Sequence, residues 1–226
     1  MNIRQISNSL RQIVFICGVF LCISGFSYAQ DSKADALKLY RTGRSLDSAG
    51  RAEEAKTLYT QAIDICLTEL KKNPRNMDSY TVYTWSLFRL HRYRETISIC
   101  AEALKIATDA RIIETLGEAY FYVNDYKESL RQMERYIDMV PTGERTSVAY
   151  FYTGDIYRLS KRYQKADIAY SAAVYLEPGN SLWWYRLGLA REQAGHKQGA
   201  ADAFQRALSI RKDYKEAADG LARVQL

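Results

Sequence analysis

Few residues of this chain could do covalent or acid–base chemistry, and their spacing keeps them apart. Its two histidines, His91 and His196, are widely separated, and each stands in a short polar stretch between apolar-periodic segments. Neither a metal ligand set nor a base-activated nucleophile follows from them; both read as plain turn residues. Gly188 and Gly195 have the wrong spacing for a phosphate-cradling loop, with no strand pattern before them. No Gly-x-Ser-x-Gly elbow and no Cys-x-x-Cys pair occurs. Acidic neighbours such as Glu53 and Glu54 fall on a solvated helix face. The expectation is a protein that is not an enzyme and needs no cofactor or metal. The chemistry that the sequence does offer is recognition. Trp85, Phe88, Arg89, Arg111, Phe121, Tyr122, Phe151, Arg158 and Tyr185 interleave rings with guanidinium groups, the composition of a desolvated binding surface.

The elements that must position those residues repeat along the chain. Gly43, Thr84, Gly117, Gly154 and Gly188 are each followed twelve residues later by another small residue: Ala55, Thr96, Ser129, Ala166 and Ala200. Four positions further on stand Tyr59, Cys100, Met133, Tyr170 and Phe204. Three beyond those come Ala62, Ala103, Tyr136, Ala173 and Ala207, with Tyr136 the one departure. Small residues twelve apart suit two successive helices whose backbones approach closely, where a larger side chain would force them apart. The apolar residues around them recur at spacings of three and four, one buried stripe per helix. Turns are predicted at Leu90-His91-Arg92, Val123-Asn124-Asp125, Ser160-Lys161-Arg162 and Ala194-Gly195-His196. Pro141 and Pro178 stand where a second helix must end.

This pattern resembles the tetratricopeptide repeat (TPR), a helix–turn–helix unit of about 34 residues. Trp184, Leu187, Gly188, Ala200, Phe204 and Ala207 carry the resemblance in the fifth copy. Gly154, Tyr157, Ala166, Tyr170, Ala173 and Pro178 carry it in the fourth, and Leu116, Gly117, Tyr120 and Pro141 in the third. The resemblance implies an all-α, right-handed α-solenoid of about five repeats, at about 34–73, 74–108, 109–143, 144–180 and 181–212. Asp213 to Glu216 reads as a capping box opening a final helix, 213–226, that closes the stack. Two spacings exceed the period. The first predicts a second helix about two turns longer, from Glu53 to Lys72. The third predicts a loop insertion, Thr142-Gly143-Glu144-Arg145.

In such a stack the first helix of each pair lines a concave groove. The register places Tyr40, Arg44, Asp78, Thr81, Glu114, Glu118, Asp155, Leu189 and Glu192 there with the nine residues named above. Eighteen tyrosines in 226 residues leave a second reading open, in which several of these rings pack between repeats. Some relatives hold a peptide's terminal carboxylate with a Lys/Asn clamp. The corresponding places here carry Tyr40 and Arg44, or Arg111 and Thr115, a half match, so the clamp is not carried over.

Residues 1–29 differ in kind. Arg4 and Arg11 are their only charges; an apolar run from Ile13 follows, then Ser27 and Ala29. This predicts a secretory signal peptide cleaved after Ala29. The run to Phe26 is shorter than the roughly 20 residues a spanning helix needs, so no membrane span is expected after cleavage. Without Arg4 and Arg11 the chain's charge of +6 becomes +4, dispersed rather than blocked, which argues against nucleic acid as a partner. Cys66 and Cys100 then remain, either as a disulfide in an oxidising compartment or as small core residues. The functional expectation is an exported, periplasmic or secreted scaffold (residues 30–226) binding a peptide or protein partner, in the setting of an envelope complex. The alternatives are a small-ligand or glycan-binding accessory protein of a transporter and a structural subunit of an envelope assembly.

Overall fold

The computed structural model describes residues 35–225; the predicted signal peptide lies outside them. Among the described residues there are eleven helices and no strand. In chain order they are α1 (Ala36–Ser48), α2 (Ala52–Lys72), α3 (Met77–Arg89), α4 (Tyr93–Ile106), α5 (Ala110–Tyr122), α6 (Tyr126–Met139), α7 (Thr146–Leu159), α8 (Tyr163–Leu176), α9 (Ser181–Gln193), α10 (Lys197–Ile210) and α11 (Lys215–Gln225). None is long and apolar enough to cross a membrane.

Each helix packs on the one before it. Beyond that, α1 touches α3, α3 touches α5, and the series continues through α7 and α9 to α11. The even-numbered helices make no such contact with one another. First helices therefore crowd together while second helices splay, the arrangement of a curved helical solenoid with an inner wall of odd-numbered helices.

The close approach predicted between helices of a pair takes a specific form. A Cβ added to Gly188 would lie 2.5 Å from the ring of Phe204, one on Gly154 2.6 Å from Tyr170, and one on Gly43 2.7 Å from Tyr59. The glycine thus makes room for the ring sixteen residues on, rather than for the small residue twelve on. That small residue does a second job, seen where the Ser129 hydroxyl donates to the Gly117 carbonyl at 2.8 Å. The second copy reverses the volumes. Thr84 stands at the glycine place and Cys100 at the ring place, both fully buried, so the larger residue of one helix meets the smaller of the other.

Every helix pair turns in the same way. Gly50, His91, Asn124, Lys161 and Gly195 all have positive φ. The amide after each donates to a carbonyl five residues back, as in Arg51 to Leu46, Arg92 to Leu87 and His196 to Arg191 at 2.9–3.0 Å. This is the Schellman closure of a helix end, and it places both histidines in turns.

The extended second helix of the first pair is present: α2 has 21 residues against 14 in α4, α6, α8 and α10. The insertion 142–145 lies between α6 and α7. Helix α11 covers the end of the stack, its Gly220 lying against Phe204, with Ala217 and Val224 buried beside Tyr214. The predicted capping box does not form there. Among the described residues the exposed Asp213 carboxylate accepts only from Arg211, at 3.4 Å. Cys66 and Cys100 are free, buried thiols in separate packing clusters.

The Gly188–Phe204 contact leads to a direct expectation. Gly188→Ala adds ~1 kcal/mol of helix propensity but overpacks the ring at a cost of about 2 kcal/mol, so the net effect on denaturant unfolding is a loss. Phe204→Leu in the same chain should relieve it, giving a favourable coupling in the double-mutant cycle. Additive effects would show that the ring and the glycine do not meet.

Candidate functional site: a groove on the first three repeats

The inner wall opens into a cavity of about 390 Å³ between α1, α3 and α5. Trp85, Phe88 and Arg89 of α3 line it with Tyr40 and Arg44 of α1 and Arg111, Glu114 and Glu118 of α5. Two further cavities share residues with it. One, toward α2, holds Phe88, Arg89, Tyr93 and Tyr122. The other, toward the N-terminal end of α3, holds Tyr40, Arg44, Trp85, Asp78 and Arg111. Together they form a continuous groove across three successive repeats.

The apolar side of the groove carries two groups of touching rings. Trp85 stacks on Tyr40 at 5.3 Å between centroids. Phe88 meets Tyr93 and Tyr122 edge-on at 5.3 and 5.5 Å, and Tyr93 stacks on Tyr122 at 4.7 Å. Phe121 sits behind them against Tyr152 at 5.0 Å.

The polar side is built on a buried acid pair. Glu114 and Glu118, four residues apart on α5, are only 4% and 6% exposed. Both are held by one guanidinium, that of Arg145 at the end of the inserted loop. Its Nε and Nη2 donate to Glu114 Oε1 at 2.9 and 2.6 Å, and Nη2 also donates to Glu118. Burial works against the charge on Arg145, but the carboxylates of Glu114 and Glu118 more than offset it and hold the guanidinium protonated. Two carboxylates share one cation, an imbalance that protonation of one of them relieves. Burial, and then the Glu114 charge beside it, push Glu118 well above its ordinary 4.5.

Tyr136 explains why Arg145 reaches so far. Its ring stands where every other copy has alanine, and its hydroxyl lies against Gly143, 2.9 Å from where a Cβ would stand. The ring packs against the inserted loop, and the last residue of that loop, Arg145, reaches the wall of α5. Sequence reasoning noted both irregularities, Tyr136 and the insertion, without joining them; their proximity in the chain was the available signal. It also passed over Tyr93 and Tyr152.

The nine predicted site residues divide in two. Trp85, Phe88, Arg89 and Arg111 line the central cavity, and Phe121 and Tyr122 form the adjoining ring cluster. Phe151 instead stacks on buried Trp183 at 5.3 Å, and Tyr185 packs against Tyr214 at 5.1 Å. Arg158 donates to Asp155 at 3.3 Å and to the Tyr170 hydroxyl at 3.3 Å. These three occupy the packing of the later repeats. The reason lies at one register position. Phe151 and Tyr185 there lean on the next repeat, whereas the third copy has Glu114, which cannot close that gap as a ring does. Thr81, also placed in the groove by register, is fully buried, its hydroxyl donating to the Met77 carbonyl at 2.8 Å.

Among the described residues no group of three His, Cys, Asp or Glu side chains could hold a metal. Burial pushes the Cys66 thiol up to about 12, so it is inert as a nucleophile.

Models of the tetratricopeptide repeat match residues 39–65, 114–181 and 168–219, together more than half of the chain. The chain belongs to the tetratricopeptide-repeat family. The matched ranges leave out 66–113, which contain the reversed Thr84–Cys100 pair. No curated protein matches the sequence. Among solved structures, TTC0263, a thermophilic TPR protein of Thermus thermophilus, is 17% identical, with a TM-score of 0.63 over 84% of this chain and 98% of that one. MamA from Desulfovibrio magneticus RS-1 is 19% identical, with a TM-score of 0.58 over 81% of this TPR chain and 99% of that one. YrrB, described as a TPR protein with an unusual peptide-binding site, is 18% identical, with a TM-score of 0.57 over 84% and 93%. At these identities the likeness is one of fold.

The acid pair leads to a pH expectation with a definite sign. A carboxyl whose folded value lies above its unfolded one stabilises the protein fully below about 4.5 and loses that contribution as pH rises through the folded value. Glu118→Gln should therefore be more stable than the parent at neutral pH, and the gap should shrink as pH falls toward 4.5. Unfolding curves that differ by a constant amount across this range would show that Glu118 titrates normally.

Proposed function

We propose that the protein is an exported interaction module that holds a peptide or protein segment in the groove of its first three repeats. The observation that carries this reading is the shared lining. Side chains of α1, α3 and α5 make one cavity that no single repeat could build, with touching rings along one side and guanidinium groups along the other. Rigid aromatic anchors beside arginine are the residues on which interface energy concentrates. YrrB, of the same fold, is described as binding peptide, which supports a groove of this kind as a peptide site. The export reading rests on residues 1–29: basic start, apolar run, small residues at 27 and 29.

A second reading has one observation in its favour. The central cavity falls within the ~300–1,000 Å³ usual for small ligands, and Trp85 and Tyr40 could stack on a sugar. A small molecule that raises the melting temperature of the partner-free protein would favour it.

A photo-crosslinker at Phe88 should capture a stoichiometric partner in the native host. Trp85→Ala should weaken that partner by ~2 kcal/mol, about thirtyfold, with helical content unchanged. Phe151→Ala should do the opposite, leaving affinity intact and lowering the unfolding midpoint, since its ring packs on Trp183. Equal loss of affinity in both would place the contact elsewhere.

Protein isolated from its host should begin at Gln30, read by intact mass. A mature chain that keeps Met1 would overturn the export reading.

A further inference from the structure

The repeat supplies its own control for the outer face of the stack. In each second helix the residues two, six and nine places after its small residue (Ala166 in α8) lie on the solvent side. In α2, α4, α6 and α10 all of them are polar or charged, as with Arg131, Arg135 and Asp138 of α6 or Asp202, Arg206 and Ser209 of α10. Helix α8 carries Ile168, Ala172 and Tyr175 there instead. Ile168 is 72% exposed and Tyr175 85%, more than any other large apolar side chain among the described residues. Ile168 also borders a groove of about 340 Å³ between α6 and α8, lined with Ile137, Tyr150 and Tyr157. An apolar stripe on one helix, where its four siblings are polar, marks a face that another surface covers.

The ends of α8 depart from the pattern as well. Three siblings hold a glutamate one place before the small residue, Glu54, Glu95 and Glu128, each bonded to an arginine three residues away. Helix α8 has Lys165 there, preceded by Lys161 and Arg162. Among the described residues none of these three cations has an ion-pair partner; the nearby Asp167 is held by Arg191 at 2.9 Å. Lys165 lies over the Tyr157 ring, and Glu134 and Asp138 stand across the groove on α6, so cations outnumber acids at this end. At the other end stand the last carbonyls of the helix and Glu177, which among the described residues accepts only from the Ser147 hydroxyl, at 3.1 Å. Helix α8 is thus positive at its start and negative at its end, its side chains adding to the helix dipole.

We propose that this face is the contact between two copies of the protein, which pair antiparallel through α8 about a two-fold axis passing between Ser171 and Ala172. Ile168 and Tyr175 are equally far from that axis along the helix. Ile168 of each copy therefore meets Tyr175 of the other, whose ring closes over the groove beside α6. The small Ser171 and Ala172 stand at the crossing, where helices can approach to about 8–10 Å. The basic start of each α8 lies along the negative end of the other, whereas a parallel pairing would set cations against cations. A lipid surface is the poorer occupant, because the stripe is one helix wide between the charged outer faces of α6 and α10. A two-fold contact of this kind is closed, so assembly stops at two. The inner walls then face away from each other, and both grooves stay open, which makes the pair bivalent.

The test is sedimentation equilibrium of the protein purified from its host, over about 1 µM to 1 mM, the span of weak contacts. Dimer should form within that range, and nothing larger. Ile168→Asp and Tyr175→Lys give α8 the residue types that α10 and α4 carry at those places, Asp202 and Lys105. Each should weaken the dimer about tenfold or more with the circular dichroism unchanged. An equimolar mixture of the two variants should recover dimer to within about threefold of the parent. One contact of the mixed pair is then native, and the other joins aspartate to lysine. Capture of the partner at Phe88 should be unchanged in both variants, which keeps the groove reading separate. A protein that stays monomeric throughout, variants that dimerise as the parent does, or a mixture no tighter than the single variants each overturns the proposal. So does a foreign protein cross-linked at Tyr175, which would be the occupant instead.

Discussion

The architecture depends on a steric interlock: a residue with no side chain on one helix receives a ring from the next. Gly43 with Tyr59, Gly154 with Tyr170 and Gly188 with Phe204 leave less than a normal contact distance for any Cβ. Each lock sets the spacing and rotation of its helix pair. The Schellman turn with one left-handed residue then sets the direction of the return. With both constraints repeated along the chain, first helices meet first helices and the chain has an inner wall. Dispersion and apolar burial supply the energy; the interlock decides the geometry in which that energy is collected.

The site arises where the pattern is broken. Three departures cluster on the third repeat: Glu114 where later copies have a ring, Tyr136 where others have alanine, and a four-residue insertion ending at Arg145. None alone would make a cavity. Glu114 removes a ring that would bridge to the next repeat, Tyr136 props up the inserted loop, and Arg145 closes over the acid pair that the missing ring left behind. A buried carboxylate pair with a single cation is a poor contributor to stability. Its position at the floor of the groove fits a cost tolerated for binding rather than for folding.

The two halves of the solenoid consequently differ in what the rings of the inner wall do. In the fourth and fifth repeats, Phe151 and Tyr185 reach the following helices and become part of the packing. In the first and second, Tyr40 and Trp85 stack on each other and keep a face toward the groove. A ring on the inner wall stays open to the groove only where the next repeat offers it nothing to close against.

The sequence alone determined the helix-pair architecture, the two-turn extension of α2 and the place of the loop insertion. These follow from local periodicity and from small residues at set intervals, which are written along the chain. Of its nine principal site residues six surround the groove, and the register also placed Tyr40, Arg44, Glu114 and Glu118 there. Only the tertiary structure decided which rings remain open and which are consumed in packing, because that depends on a partner some thirty residues away on the neighbouring repeat. For the same reason it alone joined Arg145 to Glu114 and Glu118. An ion pair across 27 to 31 residues has no periodic signature, and it forms where the inserted loop, packed against Tyr136, brings Arg145 to α5.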